Sequence, residues 1–453
     1  MERYGVRASW RSVPPLDPAY CPAEPFRRAF LAGADRSVTL AVEGGGRRWV
    51  YPTAIHRTPG EADINYVNRI VKALLWIRGG CRVLTDDADI ASWLRRDLRP
   101  GGALAFDADF MARTFDEPFA VEMAEGMEPE QAEKTAGPGG RGGCRIGFDA
   151  GGSDRKAVAL RDGEVVYAEE VPWSPGSRAD ISYHESHVRS ALVAAASHLP
   201  RVDAVGISSA GIQLNDRTGA ASLFRAVPPE VFRTRGRELY LRVVRDLFGP
   251  VPCRVINDGD AAALAGAMAL GQGELLGIAM GTSQAGGFAD GAMGVSGWLN
   301  ELAFVPVDLS PSAPRDEWSG DVGCGASYFS QEGVLRLAGR AGLAPAGDTP
   351  AERLRRVQEA MAEGDERAGA VYETLGVWLG HALAWYEHFY RCRRVLLLGR
   401  VMSGPGGDAA LDACRRTLAA DYPELELSLH LPEEEKRRLG QAEAAAALPV
   451  IEA

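Results

Sequence analysis

The sequence predicts an α/β protein built from two related lobes facing one cleft, preceded by a small α/β domain. Three observations predict it. The order strand, Gly-rich turn, strand occurs first in CRIGFDAGGSDRKAVAL and again in ELLGIAMGTSQAGGFAD, each near an Ala-rich or amphipathic helix, and repetition of one supersecondary unit signals a duplicated architecture. At 453 residues the chain exceeds one ordinary core, so two or three domains are expected. With 46% hydrophobic and 25% charged residues, the composition is that of a globular protein and excludes wholesale disorder, collagen-like repeats and coiled coil.

The elements follow in order. SVTLAV and RRWVYPTAI read as strands around a GGG turn, INYVNRIVKALLWI has apolar residues at helical spacing, and CRVLT is a short strand. DADIASWLRRDL is an amphipathic helix with Asp residues placed to cap it. These make an N-terminal α/β domain over 1–123, of unknown role. Acidic helix formers then run into a Gly/Pro cluster over 124–143, which reads as a linker. Beyond it, HESHVRSALVAAASHL and RTRGRELYLRVVRDLFG are helices, VDAVGISSAGI is a buried strand ending in a small-residue loop, and CRVIND is a strand before the Ala-rich helix DAAALAGAMALGQG. The first lobe is expected over 144–260 and the second over 261–432, with ligand loops at the strand ends, where open α/β sheets place them.

The 50 Lys and Arg against 61 Asp and Glu give a net charge of −11, without a long basic run, so nucleic acid is not the expected partner. Seven scattered cysteines without a CxxC pair suit reduced thiols. The start, MERYGVRASWRSVPPLDP, has no apolar core of a signal peptide, and no apolar run is long enough to span a membrane. A cytoplasmic location is expected.

In FDAGGSDRK, Asp149 ends a strand, Gly151 and Gly152 remove Cβ atoms where the backbone turns and exposes N–H groups, and Ser153 adds a hydroxyl. Phosphate oxygens bind in such concavities, and an adjacent Asp can hold Mg²⁺ through water. A plain glycine hairpin gives the same pattern. IAMGTSQAGGF repeats the device with Gly281, Thr282 and Ser283. Neither turn fits GxxxxGK[ST] or a helix-opening GxGxxG, so a P-loop or dinucleotide site is not indicated. CRVINDGDAAALAG sets Asn257 and Asp258 between strand and helix. There a carboxylate can accept the proton of an attacking hydroxyl, although an isolated Asn-Asp pair reads more readily as an Asx helix cap.

Taken together and in order, FDAGGSDRK, VGISSAGI, INDGDAAALAG, AMGTSQAGGF and VLLLGRVMSG resemble the ROK family (repressors, open reading frames and kinases) of actin-like sugar kinases, over about Cys144 to Leu448. The resemblance implies two actin-like, ribonuclease H-like lobes with ATP and a hexose in the cleft. It implies that Asp149, Gly151, Gly152 and Ser153 form one phosphate motif and Gly281, Thr282 and Ser283 the other, with Asp258 as catalytic base. Asn257 and the loop Ser209, Ala210, Gly211 would line the sugar, and Gly399 and Ser403 the adenosine. The terminal stretch over about 433–448 resembles the helix that packs back onto the first lobe. A homodimer is the implied assembly.

GRVMSGPGG departs from the family's usual glycine cluster, and two further regions depart from the family pattern. GWLNELAFVPVD keeps Glu301, a sugar contact in the family's ExGH, but has Ala303 and Phe304 where Gly and a zinc-binding His would stand. GDVGCGASYFS retains Cys324 alone of a cysteine cluster. Zinc needs about four N or S ligands, so no zinc site is expected, and Phe304 should fill the space. Cys324 reads as an inert buried thiol with no basic neighbour in sequence. His184 and His187 read as a solvated helix face, and His381 and His388 as part of an aromatic core stripe. The implied function is ATP- and Mg-dependent phosphorylation of a sugar hydroxyl. The alternative is a regulatory or non-catalytic sugar-binding protein, with the N-terminal domain as an interaction module. The identity of the sugar is not readable from side-chain types alone.

Overall fold

The computed structural model describes residues 1–124, 126–127, 135, 137–431 and 439–451. Much of the expected linker and the first residues of the expected last helix lie outside these. The chain divides into two compact units: Met1–Ala132, Ile278–Gly286 and Asn300–Leu431 form one, and Glu133–Gly277, Gly287–Leu299 and Pro432–Ala453 the other. Each is an α/β unit. No helix among the described residues is long and apolar enough to cross a membrane.

The N-terminal part of the first unit contains β1 (Arg36–Gly44), β2 (Arg47–Ile55), α1 (Glu61–Ile77), β3 (Arg82–Thr85), α2 (Ala88–Asp97), α3 (Ala105–Phe115) and β4 (Ala120–Met123). Its sheet has the order β2-β1-β3-β4, antiparallel except for the β3/β4 pair. Asp87 caps α2 as its position predicts, accepting from the Ile90 N–H at 3.0 Å. This part is joined to the rest of its unit by buried contacts. His381 bonds the Ser12 carbonyl at 2.8 Å, the Thr374 hydroxyl accepts from the Leu16 N–H at 3.1 Å, and Tyr20 lies against Trp378.

The second unit is a three-layer sandwich. Its strands are β5 (Cys144–Ala150), β6 (Asp154–Arg161), β7 (Glu164–Pro172), β8 (Ala204–Ser209) and β9 (Cys253–Asn257), in the order β9-β8-β5-β6-β7. The three-strand core of the sheet is parallel and the β5–β6–β7 meander antiparallel. Because β5 and β8 are covered on both faces, they read as unbroken buried runs. Ile146, Phe148, Val205, Ile207 and Val255 face α4 (Ile181–Ala196) and α5 (Leu239–Phe248). On the other face lie α6 (Asp258–Leu270) and the C-terminal helix Gly440–Ala447.

That last helix does pack back, and the sequence shows how. No Cβ fits at Gly147 or Gly206, where it would collide with the Ala442 and Ala445 carbonyl oxygens. The strands therefore approach the helix backbone closely. Arg145 is buried and caps the helix end: its guanidinium donates to the carbonyls of Pro449 at 2.8 Å and Ala446 at 3.2 Å. Gly206→Ala is expected to force the helix off the sheet, lowering unfolding free energy by about 1–3 kcal/mol in chemical denaturation. An unchanged midpoint would show that the gap can widen without loss.

A further sheet is formed by β10 (Leu275–Met280), β11 (Gln284–Ala289), β12 (Arg394–Leu398) and β13 (Ser428–His430), ordered β11-β10-β12-β13. The helices α7 (Glu366–Tyr390) and α8 (Gly404–Asp421) pack beside it. Gly376 and Gly380 on α7 leave no room for a Cβ against Ala410, Ala413 and Thr417 of α8, so the two helices lie unusually close.

Candidate active site

The parallel register of the second unit brings its predicted residues to one edge. Ser208 pairs with Asp149, and Ser209 pairs with both Ala150 and Asn257, so all lie at the carboxyl ends of adjacent strands. Asp149 is buried. Ser208 donates to its Oδ1 at 2.7 Å, and the Lys156 ammonium lies 3.6 Å from Oδ2. Burial raises the Asp149 carboxyl above its usual range; Ser208 and Lys156 oppose that and the Asp154 charge adds to it. Neither Ser208 nor Lys156 was singled out in the sequence. The signal for Lys156 was available, because hairpin register sets it directly opposite Asp149.

Asn257 and Asp258 form the corner between β9 and α6. Asn257 is the helix cap: its Oδ1 accepts from the Gly259 N–H at 2.7 Å. Its Nδ2 donates to the Gly211 carbonyl at 2.8 Å. One amide thus starts the helix and fixes the Ser209–Gly211 loop. Gly211 has φ +101° and a Cβ there would strike Ala221, so this turn requires glycine. Ser209 is turned into the core, bonded to the Tyr240 hydroxyl at 2.8 Å, while Ala210 donates its N–H to the Ala150 carbonyl at 3.2 Å. Asp258 is the first helical residue and is partly buried. Among the described residues it makes no ion pair. Burial pushes its carboxyl up to about 6, the Asp149 charge adds to the push, and the Gly259 N–H pulls the other way.

The Gly151–Ser153 turn joins β5 and β6. Trp173 anchors it by donating to the Gly151 carbonyl at 2.7 Å, while Gly152 and Ser153 stay exposed. They border a surface groove of about 710 Å³ lined also by Ser174, Ser177 and Arg225.

In the other unit, Gly281, Thr282 and Ser283 form the turn between β10 and β11. It is closed by a Gly281 N–H to Ser283 carbonyl bond of 2.9 Å, with Thr282 and Ser283 exposed. Gly399, at φ +93°, lies directly against the Met280 backbone, which brings the 399–403 turn beside that loop. Ser403 then opens α8, whose first turn has no side-chain cap, leaving N–H groups available to an anion. Glu301 is partly buried, held by its N–H to the Trp76 carbonyl at 2.9 Å. Phe304 stacks on Trp76 with ring centroids 4.2 Å apart, so it fills its space with an apolar ring as expected. Among the described residues no group of three or more His, Cys, Asp or Glu is placed to hold a metal.

A family model described as the ROK family matches residues 145–446. The chain belongs to the ROK family. The ROK hexokinase from Thermus thermophilus is similar at 21% identity and TM-score 0.51, over 68% of this chain and 97% of that chain. A ROK glucokinase from Streptomyces griseus, in complex with glucose and AMPPNP, is similar at 23% and 0.51, over 68% and 99%. A ROK family transcriptional regulator, a homolog of the E. coli MLC protein, is similar at 17% and 0.51, over 68% and 78%. At these identities the likeness shows the actin-like fold. No curated protein sequence matches the chain. The N-terminal region before residue 145 lies outside the family match.

One sequence reading of this ROK chain needs correction. His184 is not on a solvated face; it is buried, stacks on Phe224 and bonds the Leu223 carbonyl at 2.9 Å. Its helix presents that position to the loop Ser222–Phe224, which periodicity alone could not reveal. Cys324 is a buried thiol as expected, and α1 brings two basic groups near it, Lys72 and Arg69, from far away in sequence. Burial nevertheless wins and pushes its thiol up to about 12, so it is inert. Asn257 is also the helix cap that the sequence offered as an alternative, its amide bonding the Gly259 N–H and the Gly211 carbonyl.

Proposed function

We propose that this ROK chain transfers the γ-phosphate of ATP to a hydroxyl of a hexose or related carbohydrate, with Asp258 as general base. The Asn257–Asp258 corner carries the reading. A capped helix start fixes the carboxylate at the carboxyl edge of the sheet. With a carboxyl pushed to about 6, Asp258 is ionised at neutral pH yet basic enough to take a hydroxyl proton. The similarity to a glucokinase bound to glucose and AMPPNP supports the substrate class.

In this reading the Gly151–Ser153 and Gly281–Ser283 turns offer backbone N–H groups and hydroxyls to the ATP phosphates. Gly399 and Ser403 border the adenosine, and Glu301, Asn257 and the Ala210–Gly211 part of the loop contact sugar hydroxyls, Ser209 being turned into the core. Asn257 keeps that loop in place. A buried carboxylate raised above its usual range is one that a cation would favour, and a single carboxylate suits Mg²⁺, which keeps most of its water and phosphate ligands. Asp149 would hold it through water, where its charge would offset that of the phosphates.

The presence of a transcriptional regulator among the similar structures raises a second role. Against it, the sequence before residue 145 has roughly balanced acids and bases and no helix-turn-helix followed by a basic recognition helix. A panel of sugars assayed by coupled ADP release with magnesium tests the proposal. On the accepted sugar, kcat/KM should fall about tenfold per pH unit below about pH 6, as Asp258 takes up a proton and ceases to be a base. A profile flat down to pH 5 would remove Asp258 from the base role, and ADP release unaffected by any sugar would remove the kinase reading.

A further inference from the structure

The last turn of α1 grips the segment that carries Glu301. Carbonyl groups at a helix end have no partner within the helix. Here the Trp76 carbonyl accepts from the Glu301 N–H at 2.9 Å and the Ile77 carbonyl accepts from the Asn300 N–H at 3.0 Å. From the far side, the Tyr390 hydroxyl donates to Asn300 Oδ1 at 2.8 Å. The Trp76 indole lies nearly parallel to Phe304, at 26°, and Phe106 and Phe110 of α3 complete an aromatic cluster. Along the same helix, the fully buried Lys72 ammonium sits 2.8 Å from Asp107 and 3.1 Å from Asp321, while Arg69 binds both oxygens of Asp321 at 2.6 and 3.1 Å. One helix therefore holds two loops, 300–304 and 316–324, by backbone bonds, ring stacking and ion pairs.

We infer that α1 is the positioning element for Glu301, so that the N-terminal region is an integral part of the substrate-binding unit. Its contacts with 300–324 centre on the fully buried Trp76 and Lys72 and are charge-paired, whereas interfaces of appended modules are small and more polar. Trp76 and Phe304 act through the loop and touch no substrate. The inference rests on the reading of Glu301 as a sugar contact.

Two readouts on the full chain test it. In Trp76→Leu, hydrogen exchange at the Asn300 and Glu301 amides should quicken by about a hundredfold while the β12 amides of the same unit keep their protection. The KM for the accepted sugar should rise about tenfold with the KM for ATP unchanged, and Trp76→Phe, which keeps a stacking ring, should restore it. Phe304→Leu perturbs the same stack from the partly exposed side and carries the test if Trp76→Leu does not fold. Unchanged amide protection overturns the inference, as does a loss spread evenly over β12. If the amides loosen as expected but no sugar stimulates ADP release by the wild-type protein, the positioning of the loop stands and the kinase reading fails.

Discussion

Asp258→Asn should lower turnover on the accepted sugar by about 10²–10⁴-fold, the range for loss of a general base, while making the protein more stable at alkaline pH. The two effects share a cause. The Asp258 carboxyl is raised from 3.8 to about 6 by burial and by the Asp149 charge, so the folded protein disfavours the ionised form. With the folded value above the unfolded one, the penalty begins as pH rises through about 4 and is complete above about 6. Removing the charge should recover on the order of 1–3 kcal/mol at pH 8 and nothing at pH 4. Thermal melts at both pH values, beside the coupled assay, check this. Near-wild-type turnover in the variant would place the base elsewhere, and equal melting shifts at both pH values would mean that the carboxylate is not strained by its surroundings.

The second large effect is on stability. Lys72 is 0% exposed and lies between Asp107 and Asp321. Against the upward push of burial, Arg69 and Lys72 hold the Asp321 carboxyl well below the usual carboxylate range. Lys72→Met removes the ammonium but not the carboxylates. Arg69 still neutralises Asp321, whereas Asp107 keeps only the Trp76 indole, which donates at 2.5 Å. An unpaired buried charge typically costs about 3–5 kcal/mol, whereas replacing a whole pair by apolar groups is often neutral. Urea unfolding of Lys72→Met should show a loss of that size, and adding Asp107→Leu should return most of it. A single-variant loss below about 1 kcal/mol would show that water reaches the pair.

Much of the candidate site could be read from the sequence because the rules involved act over a few residues. The Gly151–Gly152 turn, the Asn257 cap and the left-handed Gly211 each reflect a local steric or hydrogen-bonding requirement. The Ala-rich stretch at 442–447 fits a surface helix as well as a closely packed one, and it is Gly147 and Gly206 on the strands that show the close approach. Lys156 is legible only through hairpin register, which sets it opposite Asp149, and not through the glycine turn itself.

Local residue patterns carry the ROK motifs, their order along the chain and the α/β character of each unit. Long-range packing alone sets α1 against the Glu301 loop, makes His184 a core residue, brings Lys72 near Cys324 and raises the Asp258 carboxyl by burial. The physical reason is that desolvation and ion pairing depend on which distant elements cover a group, and no local pattern of residue types encodes that cover.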